Sequence, residues 1–206
     1  MRNRVIAIAA LAALIAGTSA PASFADAPAP TQSMTHIKTE KGIAATLKGA
    51  GVFLYSQGGA TSAVIGESIA ATDSQFVFHV PAALTKTGVT HAGSTIVFFN
   101  SANNKVVQLR NPVIDLAKGT VSAVVPQASA DPMVVLTITN AKDLKAKVTT
   151  DKKLKLRTTA YAGAKLSHAP GIAAAVTSLL GLPAGALPDG LAFAAADVTL
   201  KAALKK

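Results

Sequence analysis

The chain has no cysteine and no tryptophan, two tyrosines, and ten acidic residues against twenty lysines and arginines. Each shortage excludes something. Without cysteine there is no disulfide, no thiolate metal centre and no thioether lipid anchor, so the fold must stand on its core alone. Without tryptophan, and with little interleaving of aromatic and basic residues, the chain lacks the stacking platforms that hold nucleobases. Nucleic acid is therefore not an expected partner. Few acids leave few pairs for glycosidase-type catalysis, which needs two converging carboxylates. Asp115 in "VIDL" and Asp197 in "ADVTL" read as outward strand residues. Long apolar runs are scarce too. The longest, Val5 to Gly17, is too short for a comfortable membrane span.

That run has a different reading. Met1-Arg2-Asn3-Arg4 is a positive leader to it, and Ser23-Phe24-Ala25 has the small-x-small form of a signal-peptidase site. Residues 1–25 are read as a secretory signal, residues 26–34 as a Pro/Ala linker, and residues 35–203 as one domain. Cleavage after Ala25 leaves 181 of the 206 residues, enough for one sizeable core, with no transmembrane segment expected in the mature chain. The signal takes two arginines and no acid with it, so the formal charge of +10 falls to +8. A basic exported protein is drawn to anionic surfaces such as wall polymers or lipid head groups.

The domain is dominated by short runs rich in β-branched and aromatic residues, bounded by Gly, Pro, Asn or Asp: "FVFHV" (76–80), "TIVFF" (95–99), "KVVQL" (105–109), "VIDL" (113–116), "TVSAVV" (120–125) and "MVVLTIT" (133–139). Their spacing predicts an all-β fold, an antiparallel β-sandwich-like domain. Asn111-Pro112 and Asp131-Pro132 each precede a predicted strand, where proline costs no ladder hydrogen bond. Two segments read as short helices. One is 39–51, with Thr39 as cap and Gly49 or Gly51 as stop. The other is 167–181, with Pro170 near the first turn and Gly181 as stop. Both contain "GIAA", an echo that fits either a duplicated strand–helix–strand element or chance in an alanine-rich chain. Residues 192–200 predict a closing strand.

From Leu144 to Thr158 apolar and basic residues alternate, which predicts a hairpin with one buried and one solvated face. If its loop has an odd number of residues, Lys145, Lys147, Lys153, Lys155 and Arg157 share one sheet surface. Such a row is either a solubilising or edge-protecting face or an anion-binding stripe.

Catalytic signals are weak. His36, His79, His91 and His168 lie far apart, with no His-x-x-x-His spacing, so no metal site is expected. His79 alternates with Val77 and is expected to point out of its sheet, while His168 is expected at a helix start. "GESIA" around Ser68 loosely resembles a nucleophile elbow, which needs a strand–turn–helix in an α/β sheet that this chain does not show. Tyr55 in "GVFLYSQGG" is the best single ligand candidate: a strand tyrosine beside apolar surface can hold haem iron as phenolate, and otherwise serves as an amphipathic rim residue. Tyr161 in "TTAYAGAKL" is expected to follow a strand and reads as an amphipathic rim residue.

"THAGSTIVF" (90–98) and "KVVQLRNPVIDLAKGTVSAVV" (105–125), with the closing "KLSHAPGIAAAVTSLLG" (165–181) and "DGLAFAAADVTL" (189–200), resemble the HtaA-type family of exported actinobacterial β-domains and its shorter secreted relatives. The resemblance covers residues 35–203. It implies an exported all-β domain and, in the best understood members, haem held by a strand tyrosine with a histidine hydrogen-bonded to it. "GAGVFLYS" keeps Gly51, Val52 and Tyr55 of that pattern without its tryptophan. The loop that carries the family's histidine is "NSANN" (100–104) here, which leaves His91 as the candidate partner. The expectation is a secreted, non-catalytic module binding haem or another hydrophobic small molecule at Tyr55 and His91. The alternative is an envelope module whose basic face binds anionic wall polymers.

Overall fold

The computed structural model describes residues 32–86, 88–187 and 192–204. The predicted signal, 1–25, and linker residues 26–31 lie outside the described residues. The first strand, β1 (Met34–Thr39), starts where the linker ends. Helix α1 (Ile43–Gly49) follows, then β2 (Val52–Gly58), β3 (Thr61–Ile65), β4 (Gln75–Pro81), β5 (Ala83–Thr85) and β6 (Gly88–Thr90). The central run is β7 (Ser94–Asn100), β8 (Lys105–Asp115), β9 (Thr120–Val125) and β10 (Ser129–Ile138). After a 3-10 turn at Ala141–Asp143 come β11 (Lys147–Asp151), β12 (Leu156–His168), α2 (Ile172–Leu180) and β13 (Ala192–Ala203).

The expected all-β antiparallel class with short helices is what forms. The strands do not split into two sheets. They make one continuous antiparallel sheet, ordered β2-β7-β8-β9-β10-β12-β13-β1-β4-β3 and rolled nearly into a barrel. The ends of the path, β2 and β3, meet at the Gly59–Ala60 turn. There Ser56 N donates to Ser62 Oγ (3.1 Å) and Ser56 Oγ donates to Ala60 O (3.1 Å).

Alternation sets the inside. In β7 Ile96, Phe98 and Asn100 face the same way as Leu54 and Val52 on β2 and Leu109 and Val107 on β8. β9 adds Val121, Ala123 and Val125, and β13 adds Ala194, Ala196, Val198 and Leu200, all buried. Phe193 lies against His168, ring centroids 4.9 Å apart, and against Phe98 at 6.2 Å. The helices pack against this sheet. α1 seats Ile43, Ala44 and Leu47 beside β2 and β4; α2 seats Ile172, Val176 and Leu180 beside β8 and β7. Asn100 Nδ2 and Asn103 Nδ2 each donate to Leu180 O at 2.9 Å, tying the end of α2 to the β7–β8 turn.

Several expected boundaries move for physical reasons. Thr39 is not a cap; it ends β1, and its hydroxyl accepts from Phe76 N at 2.9 Å. Both helices start instead after a left-handed glycine, Gly42 (φ 80°, ψ −11°) and Gly171 (φ 78°, ψ −11°). The two "GIAA" segments thus build the same turn. Ser167 and His168 end β12 rather than start α2. Residues 105–109 and 113–116 are not two strands. β8 runs through, with a bulge at Asn111 (φ 48°) and Pro112. Asp131-Pro132 sits at the bulge of β10. Bulges are where a residue without an N–H is tolerated inside a sheet.

Candidate functional site

The structure separates the residues that the sequence pairs. Tyr55 lies opposite Val97 on β7, and Val97 lies opposite Gln108 on β8. This is the outer face of the sheet, with Phe53 opposite Phe99 one step along. Phe53, Tyr55 and Phe99 are half-buried. Gln108 Nε2 approaches Gln57 Oε1 at 3.5 Å beside them, and Arg110 Nε donates to Gln108 Oε1 at 3.0 Å. The result is an aromatic and amide surface.

His91 is on the other side. It is 2 % exposed and sits with Ile96 and Leu109 around a cavity of about 40 Å³. Cavities that hold drug-sized ligands run to about 300–1,000 Å³. This space is a packing gap in a filled core. Both ring nitrogens are engaged: Nε2 lies 2.7 Å from Thr35 Oγ1 and Nδ1 lies 2.9 Å from Pro112 O. A carbonyl only accepts, so Nδ1 carries the hydrogen and Nε2 accepts from the Thr35 hydroxyl. Burial pushes the His91 pKa below the ordinary histidine value, partly opposed by the Pro112 carbonyl. Neutral His91 therefore bridges β1 to the bulge of β8. It faces away from Tyr55 and has no nitrogen left for a ligand. Tyr55 and His91 do not form one site.

The basic hairpin also differs from expectation. β11 and β12 pair Lys147 with Ala160, Thr149 with Thr158 and Asp151 with Leu156. The loop, Lys152 to Lys155, has an even number of residues, so odd-numbered positions on the two strands fall on opposite faces. Lys147 shares a face with Thr149, Thr158 and Lys201; Arg157 shares the other with Val148 and Thr150. Lys145 precedes β11, and Lys153 and Lys155 are in the turn. The five residues are not a row on one sheet surface. They surround a projecting finger.

The turn is built by Asp151, whose Oδ1 accepts from Lys153 N (2.8 Å) and Leu154 N (2.9 Å), and by Lys155 in the left-handed region at φ 52°. At its tip Leu154 is 56 % exposed, although leucine normally seeks the core. Lys152, which alternation did not select, joins the cluster. None of Lys145, Lys147, Lys152, Lys153, Lys155 and Arg157 is ion-paired to a described residue; the ion pair among described residues joins Lys118 to Asp115 at 3.3 Å. An open depression of about 630 Å³ lies along the finger between Thr149, Lys153, Leu154 and Lys201.

No family model matches the chain, and neither the curated proteins nor the solved structures contain a match. Ser68 lies in the loop between β3 and β4, where Ser68 O accepts from Ala71 N, and not on a strand–turn–helix elbow. Asp115 is held below its usual carboxylate range, chiefly by the Lys118 backbone N–H. Asp197 is exposed on β13, its Oδ1 accepting from Gly163 N at 2.7 Å. Tyr161 is part of β12, packed half-buried against the core. Among the described residues no group of three or more His, Cys, Asp or Glu side chains converges as a metal cluster would.

Two histidines do meet. His36 on β1 lies directly opposite His79 on β4, with ring centroids 4.6 Å apart and planes within 10°. As the alternation of "FVFHV" indicates, His79 points outward. The meeting itself was not legible, because β1 begins at the linker boundary and its residues carry no strong strand pattern.

Proposed function

We propose that the protein is an exported, non-catalytic module that docks on an anionic cell-envelope surface through the β11–β12 finger. The observation that carries this reading is Leu154, exposed at the tip and flanked by Lys152, Lys153 and Lys155. Each lysine or arginine near an anionic lipid surface contributes about 1 kcal/mol. An exposed leucine in the same turn adds apolar burial if it enters the head-group layer, and gains nothing from a soluble polyanion. The small cavity beside His91, about 40 Å³, is consistent with a filled core rather than an internal ligand chamber there. The HtaA-like pattern of the sequence supports export and a surface role.

The test is co-sedimentation with phosphatidylglycerol-containing vesicles. The expected result is binding that weakens as salt rises, absent on phosphatidylcholine, and about tenfold or more weaker in the double variant Lys153→Glu, Lys155→Glu. Leu154→Ser should weaken vesicle binding while leaving binding to soluble polyphosphate unchanged. A double variant that binds like the parent chain sinks the proposal. Equal loss on both supports moves the target from lipid to wall polymer.

A second reading, haem on the outer face, is supported by Tyr55 lying half-buried beside the Phe53–Phe99 pair. A flat macrocycle suits a flat aromatic surface, with the Tyr55 phenolate as axial ligand. The expected result is a Soret band on haem titration, lost in Tyr55→Ala and retained in His91→Gln, because His91 is spent inside the barrel. A flat titration ends this reading.

A further inference from the structure

The His36–His79 pair takes no part in either proposed function. Strand register places the two imidazoles directly opposite each other on the outer face, where Cβ atoms of paired residues are about 4.5–5.5 Å apart. Their rings stack face to face at 4.6 Å. His79 is exposed, while His36 lies half-buried beneath it. His36 Nε2 is out of reach of water and has no hydrogen-bond partner. A buried polar atom left without a partner costs free energy, so native structures nearly always satisfy it. Asp197 on β13 is the next residue of the same cross-strand row, opposite His36 on its other side.

We propose that His36 and His79 form a two-imidazole surface site for a transition-metal dication such as Zn²⁺ or Ni²⁺. Imidazole nitrogen is the preferred protein donor for these ions, with metal–nitrogen distances of about 2.0–2.1 Å. Two such bonds at a tetrahedral angle put the donor nitrogens about 3.4 Å apart. The ring centroids are 4.6 Å apart, so tilting one edge of each ring towards the other brings a nitrogen of each towards that spacing. The cation would then give His36 Nε2 the partner it lacks.

Neighbouring charge is mixed. Asp197 attracts a cation. Lys38, two residues along β1 on the same face, is about 7 Å away and exposed, so solvent screens it. Two protein ligands leave coordination positions open to water, or to a donor carried by a partner. The site is thus built for a labile or shared ion, unlike the closed four-ligand sites that stabilise folds.

Titrating the purified, chelator-stripped chain with Zn²⁺ tests this, read by the histidine side-chain signals in NMR and by calorimetry. The expected result is saturable binding that moves the His36 and His79 signals and leaves His91 and His168 in place. His79→Asn, at an exposed position that the core does not need, should weaken binding about tenfold or more while leaving the circular dichroism unchanged. His36→Asn should do the same. Binding that survives His79→Asn, shifts confined to other residues, or no saturation at millimolar Zn²⁺ would each overturn the proposal.

Discussion

His91 shows how a residue type suited to chemistry becomes architecture. Its sequence context, a histidine before a Gly turn and a strand, suits a ligand partner. In the fold its two nitrogens are consumed by Thr35 and Pro112, and it joins β1 to a bulge that Asn111 and Pro112 create in β8. Removing it leaves the buried Thr35 hydroxyl with no acceptor and opens space in the core. His91→Ala should cost roughly 2–4 kcal/mol in urea unfolding. Its titration gives a second observable. An unfolded histidine titrates near 6.5, and folded His91 takes its proton only at lower pH. Below about pH 6.5 the unfolded chain therefore holds more protons than the folded one. The stability contributed by neutral His91 is complete above that pH and declines as pH falls towards the folded value. His79 shifts in the same direction but is largely in water, so its share is small. The unfolding midpoint should drop between pH 7 and pH 5, and His91→Gln should flatten much of that slope. An unchanged slope in His91→Gln would show that other groups carry it.

At the scale of elements, what was legible depended on whether the local residue pattern alone decides the structure. Residues 76–80, 95–99 and 120–125 are runs rich in β-branched and aromatic residues and lie in β4, β7 and β9. The second helix was legible at its end, where Gly181 closes it in the left-handed region at φ 66°, but its expected start at Ser167 or His168 belongs to β12. The first was misplaced at its start because Thr39 resembles a cap. Its neighbours pull it into β1 instead, pairing it with Ala194 on β13. β3, β5 and β6 passed unseen, since each is short and exposed or defined only by its partner strand. The basic hairpin was legible as a hairpin, but the parity of its turn was not. Asp151 closes that turn with two backbone bonds and Lys155 adopts a left-handed conformation, choices with no counterpart in hydrophobic alternation. One residue more in that loop would put all the odd-numbered cations of the two strands on one face. The even loop turns a charged surface into a charged finger and makes Leu154 its tip. Of the candidate residues, the placement of Tyr55 on a strand and the basic character of the hairpin could be read from sequence; the single charged face expected there does not form. The His36–His79 meeting could not, because it depends on which strands become neighbours across 42 residues of chain.

For the whole molecule, the central question is how a rolled sheet deals with its own edges. A closed barrel has no free edge, whereas an open sheet presents unpaired N–H and C=O groups to other chains. Here the two ends of the strand path lie side by side, but side-chain bonds rather than a ladder join them: Ser56 bonds to Ser62 Oγ and Ala60 O. β3 pairs with β4 alone and exposes Val64 and Ile65, at 41 % and 49 %. By contrast β1, β12 and β13 are each paired on both sides, and β13 carries the fully buried Val198. Local opening free energies track how much packing and pairing a segment must break. β3 should therefore open first, far below the cost of global unfolding, and β13 last. Amide hydrogen exchange measures this directly. The β3 amides should exchange orders of magnitude faster than those of β1 and β13. Ser62→Ala removes the acceptor of Ser56 N, so that amide should exchange about tenfold faster, the equivalent of one hydrogen bond of about 1–1.5 kcal/mol. If β3 is protected as well as β13, the seam is a true ladder and the barrel is closed. If only β3 and the Ser56 amide exchange early, the molecule keeps one built-in point of opening, on the side where His79 pairs with Thr61. Zn²⁺ clamped between β1 and β4 would then slow exchange across β4 while leaving the seam itself fast.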